Sequence, residues 1–239
     1  MAKHEKALRM TLAQQMQTIV EVFSEKIISE NPFAQTAAQG RLTEKQFVLY
    51  LRNLKWIFHH NSAYLQIAQA RAENLGLKEL ADFYEAKFRE EVNHEKWAEE
   101  DLKLRGAGAT TSQSTEQEGP LPHDDSILPS THRLIQYLDE IITINPTLFL
   151  SYIFFTEYFT VLVGPRFLNN LETKCGIPAS TVSAIAKHVE ADLPHSAEDM
   201  KAVTRLVKDP ALAEPMIDAL QGSMGRVNSF LAECVGHIQ

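Results

Sequence analysis

Cysteine is nearly absent from this chain of 239 residues: Cys175 and Cys234 are the only two, and they form no Cys-x-x-Cys pair. That excludes a disulfide framework and a closed thiolate zinc site, and it fits a reducing compartment. Glycine and proline number ten each and gather at a few places, so helix-breaking punctuation is scarce. Basic charge is in deficit, with 23 Lys and Arg against 31 Asp and Glu for a formal net charge of −8. No Lys/Arg run forms a basic patch, so nucleic acid and an anionic membrane surface are not expected as partners. The N-terminal Met1-Ala-Lys-His-Glu lacks the apolar region of a signal peptide, which points to the cytoplasm. The most apolar run, Leu148 to Val163, is interrupted by Glu157 and falls short of the ~20 residues that span a bilayer. It reads as a buried helix, and no membrane partner is expected.

What is present is helical periodicity. Apolar residues recur at three- and four-residue spacing between the breakers, with no alternating strand pattern and no internal repeat. Helices are expected at about 5–30, ended by Asn31-Pro32, and at 43–74, opened by the capping box Thr43-Glu44-Lys45-Gln46. Others are expected at 77–104, 130–145 and 146–174 (kinked at Gly164-Pro165), from about 180, and over 210–237. Residues 106–129 are small, polar and patternless, and read as a flexible crossover or lid. The expectation is one all-α domain over residues 1–239, a bundle of about seven helices. A chain of this length buries roughly 70% of its unfolded surface and needs no metal staple, so any metal it holds is functional.

Three stretches carry chemistry. Glu91-Val-Asn-His94 places a carboxylate and an imidazole three residues apart, ~60° around a helix, where both can reach one ion. Glu90 is four residues from His94 and competes with Glu91, and a solvated Glu and His is the plain alternative. Glu157 stands alone in a segment that is apolar all round. A buried carboxylate there must be neutralised, paired or metal-bound. His188, Asp192 and His195 follow an i, i+4, i+7 stripe, with Pro194 expected to set His195 at or beyond a kink. Together they offer three imidazoles and three carboxylates, donors that suit iron or manganese.

The aromatic residues near Glu157 (Tyr152, Phe154, Phe155, Tyr158, Phe159) and on the second helix (Trp56, Phe58, Tyr64) read first as core. Tyr158 and Arg166 are the candidates for substrate contact, Arg166 as a clamp on a carboxylate. His59 and His60 are adjacent and point ~100° apart, so both cannot face one site.

The order Glu-x-x-His, a lone Glu in an apolar helix, then His-x-x-x-Asp-x-x-His resembles the haem-oxygenase-like dimetal oxidases and oxygenases. Their fold is shared with the TenA/thiaminase II proteins and the PQQ-synthesis oxidase. The resemblance runs from the second helix to the last. It implies a haem-oxygenase-like bundle, compatible with a homodimer, and a site of two Fe ions, with Mn possible. Dioxygen would be co-substrate in the oxidation of a small organic molecule of the amino acid, amine or fatty acid class. It further implies that Glu91, His94 and His188 hold much of one ion, and Glu157, Asp192 and His195 much of the other.

Relatives differ in their residues. TenA enzymes use a pocket cysteine, whereas the apolar helix here has none. True haem oxygenases carry an axial His on the first helix and a Gly-x-x-x-Gly kink; only His4 lies early here, and the glycine pair is missing. The chlamydial p-aminobenzoate enzyme of the family has a Glu seven residues before the His and a Lys ten after the lone Glu. Those places hold Lys87 and Phe167, which sets that activity aside. A ferritin-like di-iron bundle would leave His188 unexplained. The leading expectation is a di-iron oxygenase. The alternatives are a metal-independent TenA-like thiamin or pyrimidine salvage hydrolase, and a non-catalytic small-molecule-binding module.

Overall fold

Thr11 opens the first helix: its hydroxyl accepts from the Gln14 backbone N–H while the Gln14 side chain accepts from the Thr11 N–H, a closed capping box. The computed structural model describes residues 10–107 and 126–236. Helix α1 spans Leu12–Glu30, and Asn31 then caps a short α2, Pro32–Ala38, with proline in its first turn. The Asn31-Pro32 pair thus ends one helix and begins another, an element the sequence reading did not foresee. Thr43 caps α3, Glu44–Asn74, through the expected box with Gln46. Helices α4 (Lys78–Glu91), α5 (Glu95–Leu104), α6 (Pro129–Ile144), α7 (Phe149–Lys174), α8 (Ser183–Leu206) and α9 (Ala213–Glu233) follow, with 3₁₀ turns leading into the last three.

The fold class is all-α, with no strand among the described residues, but the helix count exceeds the seven expected. One addition is α2; the other comes from a break that divides the expected helix 77–104 into α4 and α5. Helix α7 reaches its expected end at Lys174, and no new helix starts at His195. Helix α7 continues through Pro165 and α8 through Pro194. Both prolines are exposed, where water is available to the carbonyl that loses its donor. The segment expected to be a loop at 106–129 falls mostly at 108–125, outside the described residues.

Helix α7 is the centre of the bundle, packed against α1, α2, α8 and α9. Phe149, Leu150, Tyr152, Phe154 and Phe155 are all but fully buried along it. With its leading turn, α7 is a 29-residue segment long and apolar enough to cross a membrane, longer than the apolar run suggested. Most of it is buried inside the protein, as a core helix. Helix α3 packs against α4 and α5, and α8 packs against α4, α5 and α7, so buried ligand-type side chains of these helices meet along α8.

Candidate metal centre

The break between α4 and α5 forms the first half of the site. Glu91 is the last residue of α4, Val92 is extended, Asn93 takes φ = 74° and His94 is the N-cap residue of α5. Asparagine is among the few non-glycine residues that tolerate this left-handed backbone. Glu91 and His94 therefore do not share one continuous helix, as their spacing suggested. The turn still brings them together, with His94 Nδ1 3.0 Å from Glu91 Oε2.

The second half comes from α8. His188 Nε2 lies 3.1 Å from His94 Nδ1, and the two rings meet edge to face at 87°. His188 Nδ1 sits 2.6 Å from the Ala184 carbonyl oxygen and donates to it, which leaves the Nε2 lone pair directed at the other two side chains. Flat neighbours fix both rings: Trp97 stacks on His94 at 3.9 Å and Phe58 on His188 at 4.4 Å. Asp101 on α5 ties the two halves together, accepting hydrogen bonds from the Ser183 N–H, the Ser183 hydroxyl and the Ala184 N–H at the start of α8.

Ligand atoms of Glu91, His94 and His188 all lie within 4.8 Å of one another. Two ligands at about 2.1 Å from an ion and at right angles are about 3.0 Å apart, which matches the 3.0 and 3.1 Å edges measured here. Protonation is favourable as well. Burial lowers the His188 pKa, keeping the imidazole neutral. Burial alone would raise the Glu91 pKa, but the hydrogen bond and charge of His94 outweigh it and hold the carboxyl below its usual range. Ligands must be deprotonated to bind a metal, the state these shifts favour for His188 and Glu91. Two histidines and one carboxylate with open positions is the donor set of non-haem iron oxygenases.

The remaining expected ligands are arranged differently. Glu157 Oε1 is 2.9 Å from Lys87 Nζ, whose other neighbours are Asp199 Oδ1 and Glu90 Oε2, each at 3.2 Å. His195 Nε2 is 3.9 Å from Glu90 Oε2. Asp192 is buried, and its pKa is pushed up to about 8 by burial and then by the charge of Glu91. Ligand atoms of Glu157, Asp192 and His195 do not all lie within 4.8 Å of one another. Among the described residues, the one convergent group of three His, Cys, Asp or Glu side chains is Glu91, His94 and His188. The choice between Glu90 and Glu91 also separates by geometry, Glu91 facing His94 and Glu90 facing Lys87. Burial and the charge of Asp199 raise the Glu157 pKa well above the carboxylate range, and burial raises that of Asp199 too. Burial works against the Lys87 charge, but Glu157 and Asp199 outweigh it and keep the ammonium.

A cavity of about 150 Å³ opens beside these groups. Lys87, Glu91, Glu157, His188 and Asp192 line its polar end, and side chains such as Leu54, Ile57, Phe58, Phe149 and Phe155 line the rest. The two proposed substrate contacts are elsewhere. Arg166 is exposed and Tyr158 donates to Glu21 while accepting from Gln17, so neither lines the cavity. Neither cysteine lines it either. The sequence reading missed Lys87, Asp101 and Asp199 as site residues. Asp199 was detectable, since it extends the 188, 192, 195 stripe by one more turn.

No protein-family model matches the sequence, and no curated protein matches it. Solved structures do match in fold. A domain with a haem oxygenase-like fold from Shewanella denitrificans aligns with a TM-score of 0.78 at 18% identity, over 92% of this chain and 90% of that one. A TenA homolog from Pseudomonas syringae aligns at 0.67 with 14% identity, over 94% and 93% of the respective chains. A CADD-like protein of unknown function from Nostoc punctiforme aligns at 0.64 with 13% identity, over 92% and 96%. The chain therefore shares the haem-oxygenase-like fold of these structures.

Proposed function

We propose that this protein is a metal-dependent oxidase or oxygenase that binds a redox-active divalent ion, iron or manganese, at Glu91, His94 and His188. The observation that carries the reading is the convergence of those three ligand atoms at spacings that suit one coordination sphere. Three protein ligands would leave an ion bound there able to supply dioxygen chemistry. A second ion would need Glu157, Asp192 and His195, and Glu157 is already engaged by Lys87.

The chain's own residues supply the rest. The Ala184 carbonyl fixes the His188 tautomer, and Trp97 and Phe58 hold the imidazole planes. Asp192, with its pKa near 8, holds a carboxyl proton at neutral pH beside the trio and can release it into the cavity. The mainly apolar walls exclude water and favour a substrate with a hydrocarbon body over a strongly polar one.

The likeness to a TenA homolog supports a metal-independent salvage hydrolase to the same extent as far as fold is concerned. The ligand trio, and a cavity with no thiol among its walls, favour the metal reading. Anaerobic loading with Fe(II), metal analysis and then exposure to dioxygen test it. Bound iron and an oxygen-dependent optical change are expected. Failure of the reconstituted protein to bind metal, or turnover of thiamin or pyrimidine compounds that survives chelation, would replace it.

A further inference from the structure

Lys87 is 3% exposed, a burial that lysine rarely reaches without a strong compensating partner. Here it has three. Glu157 on α7, Asp199 on α8 and Glu90 on α4 place carboxylate oxygens at 2.9, 3.2 and 3.2 Å from its Nζ. Oxygens from three helices around one cationic centre are the surroundings of a metal ion, filled by an ammonium. The ammonium lies at the polar end of the same cavity as Glu91 and His188, four residues before Glu91 on the same helix.

We infer that the Lys87 ammonium takes the place of a second metal ion, so that the protein binds one ion per chain, at Glu91, His94 and His188. The inference rests on the metal-site reading above. The physical reason is exclusion. Glu157, the carboxylate best placed to serve a second ion, spends Oε1 on Lys87, and a divalent cation brought to that carboxylate would stand within a few ångströms of a fixed positive charge. The ammonium also neutralises carboxylates that would otherwise be buried unpaired, which makes it costly to displace. A lysine offers no open coordination position and no electron, so a bound ion would be the single redox centre.

The test counts metal. Protein stripped with a chelator is reloaded anaerobically with Mn(II) and desalted. Metal per chain is then measured by elemental analysis, and the electron paramagnetic resonance spectrum is recorded. One Mn per chain with the spectrum of isolated ions, lost in His188→Ala and kept in Glu157→Gln, is the expected result. Two Mn per chain with a coupled-pair spectrum overturns the inference while leaving the metal-enzyme reading in place. No bound Mn or Fe defeats that reading itself. Loss of the ion in Glu157→Gln would put it among the wrong ligands and also overturns the inference. Lys87→Glu exchanges the ammonium for a carboxylate and is expected to raise the count from one to two. A folded Lys87→Glu protein that still takes one ion contradicts the exclusion. Where that variant fails to fold, the wild-type count and spectrum decide alone.

Discussion

His94 Nδ1 and His188 Nε2 lie 3.1 Å apart although 94 residues separate them in the chain. Two bare lone pairs would repel at that distance, so a proton or an ion is shared by the two nitrogens. His188 donates from its other nitrogen to Ala184, so its role at the junction is as an acceptor or a ligand. His188→Ala should lower metal affinity by more than the ~10–100-fold typical of losing an outer hydrogen-bond partner. The ring also packs on Phe58, so a stability loss of about 1–2 kcal/mol is expected alongside it. Titration calorimetry and a urea melt separate the two effects. A variant that binds metal like the wild type would remove His188 from the site.

Asp101 acts at a distance. Its two oxygens accept from two backbone N–H groups and a hydroxyl at the start of α8, an anion at a helix N-terminus. It is buried and lies seven residues beyond His94, so it sets where α8 begins relative to α5. Asp101→Ala should destabilise the fold by about 2–4 kcal/mol, since it removes charge-assisted bonds and leaves donors unpaired. It should also weaken metal binding, because His188 sits one turn beyond Ala184. Asp101→Asn, which keeps the acceptor oxygen, should recover part of both. Equal metal affinity in wild type and Asp101→Ala would show that the clamp holds the helix without positioning the ligand.

Much of this was legible in the sequence, and the reasons differ from residue to residue. The Thr43–Gln46 box marked the start of α3 because capping is decided locally. Glu157 stood out because an apolar helix demands that its charge be answered, but the sequence does not say by what. The answer, Lys87, is 70 residues away, and only the packing of α4 against the interior brings it there. The i, i+4, i+7 stripe at His188, Asp192 and His195 survives Pro194, because that proline is exposed and α8 continues through it. The break at Asn93 was hidden because Glu-Val-Asn-His carries no glycine or proline, and asparagine's left-handed tolerance leaves little local signal.

Asp192 makes a pH-dependent prediction for the metal-free protein. Its pKa rises from the ordinary value near 4 to about 8 on folding, chiefly through burial. The folded state therefore holds this proton more tightly than the unfolded chain. The group's contribution is most favourable below about pH 4, declines as pH rises and is flat again above 8. Each unit is worth about 1.4 kcal/mol, so wild type should lose on the order of a few kcal/mol relative to Asp192→Asn between pH 5 and 8. Urea melts of both proteins in chelator at several pH values measure the difference. A stability gap that does not change with pH would mean that Asp192 is already ionised in the fold.

The last prediction concerns the contact that sets α7 against α8. A Cβ added at Gly164 would lie 2.3 Å from Val189 Cγ2, far inside contact distance, and a valine methyl cannot swing clear as a long side chain can. Gly164→Ala should therefore cost about 1–3 kcal/mol by overpacking, although alanine in a helix is otherwise favoured over glycine by about 1 kcal/mol. Val189 adjoins His188, so the push on α8 should also weaken metal binding. Val189→Ala removes the obstructing methyls. In that background the same Gly164→Ala change should become neutral or stabilising, a reversal of sign in the double-mutant cycle. Calorimetric melts of the four proteins measure it. An equal cost of Gly164→Ala in both backgrounds would show that the α7–α8 approach is not limited by this pair.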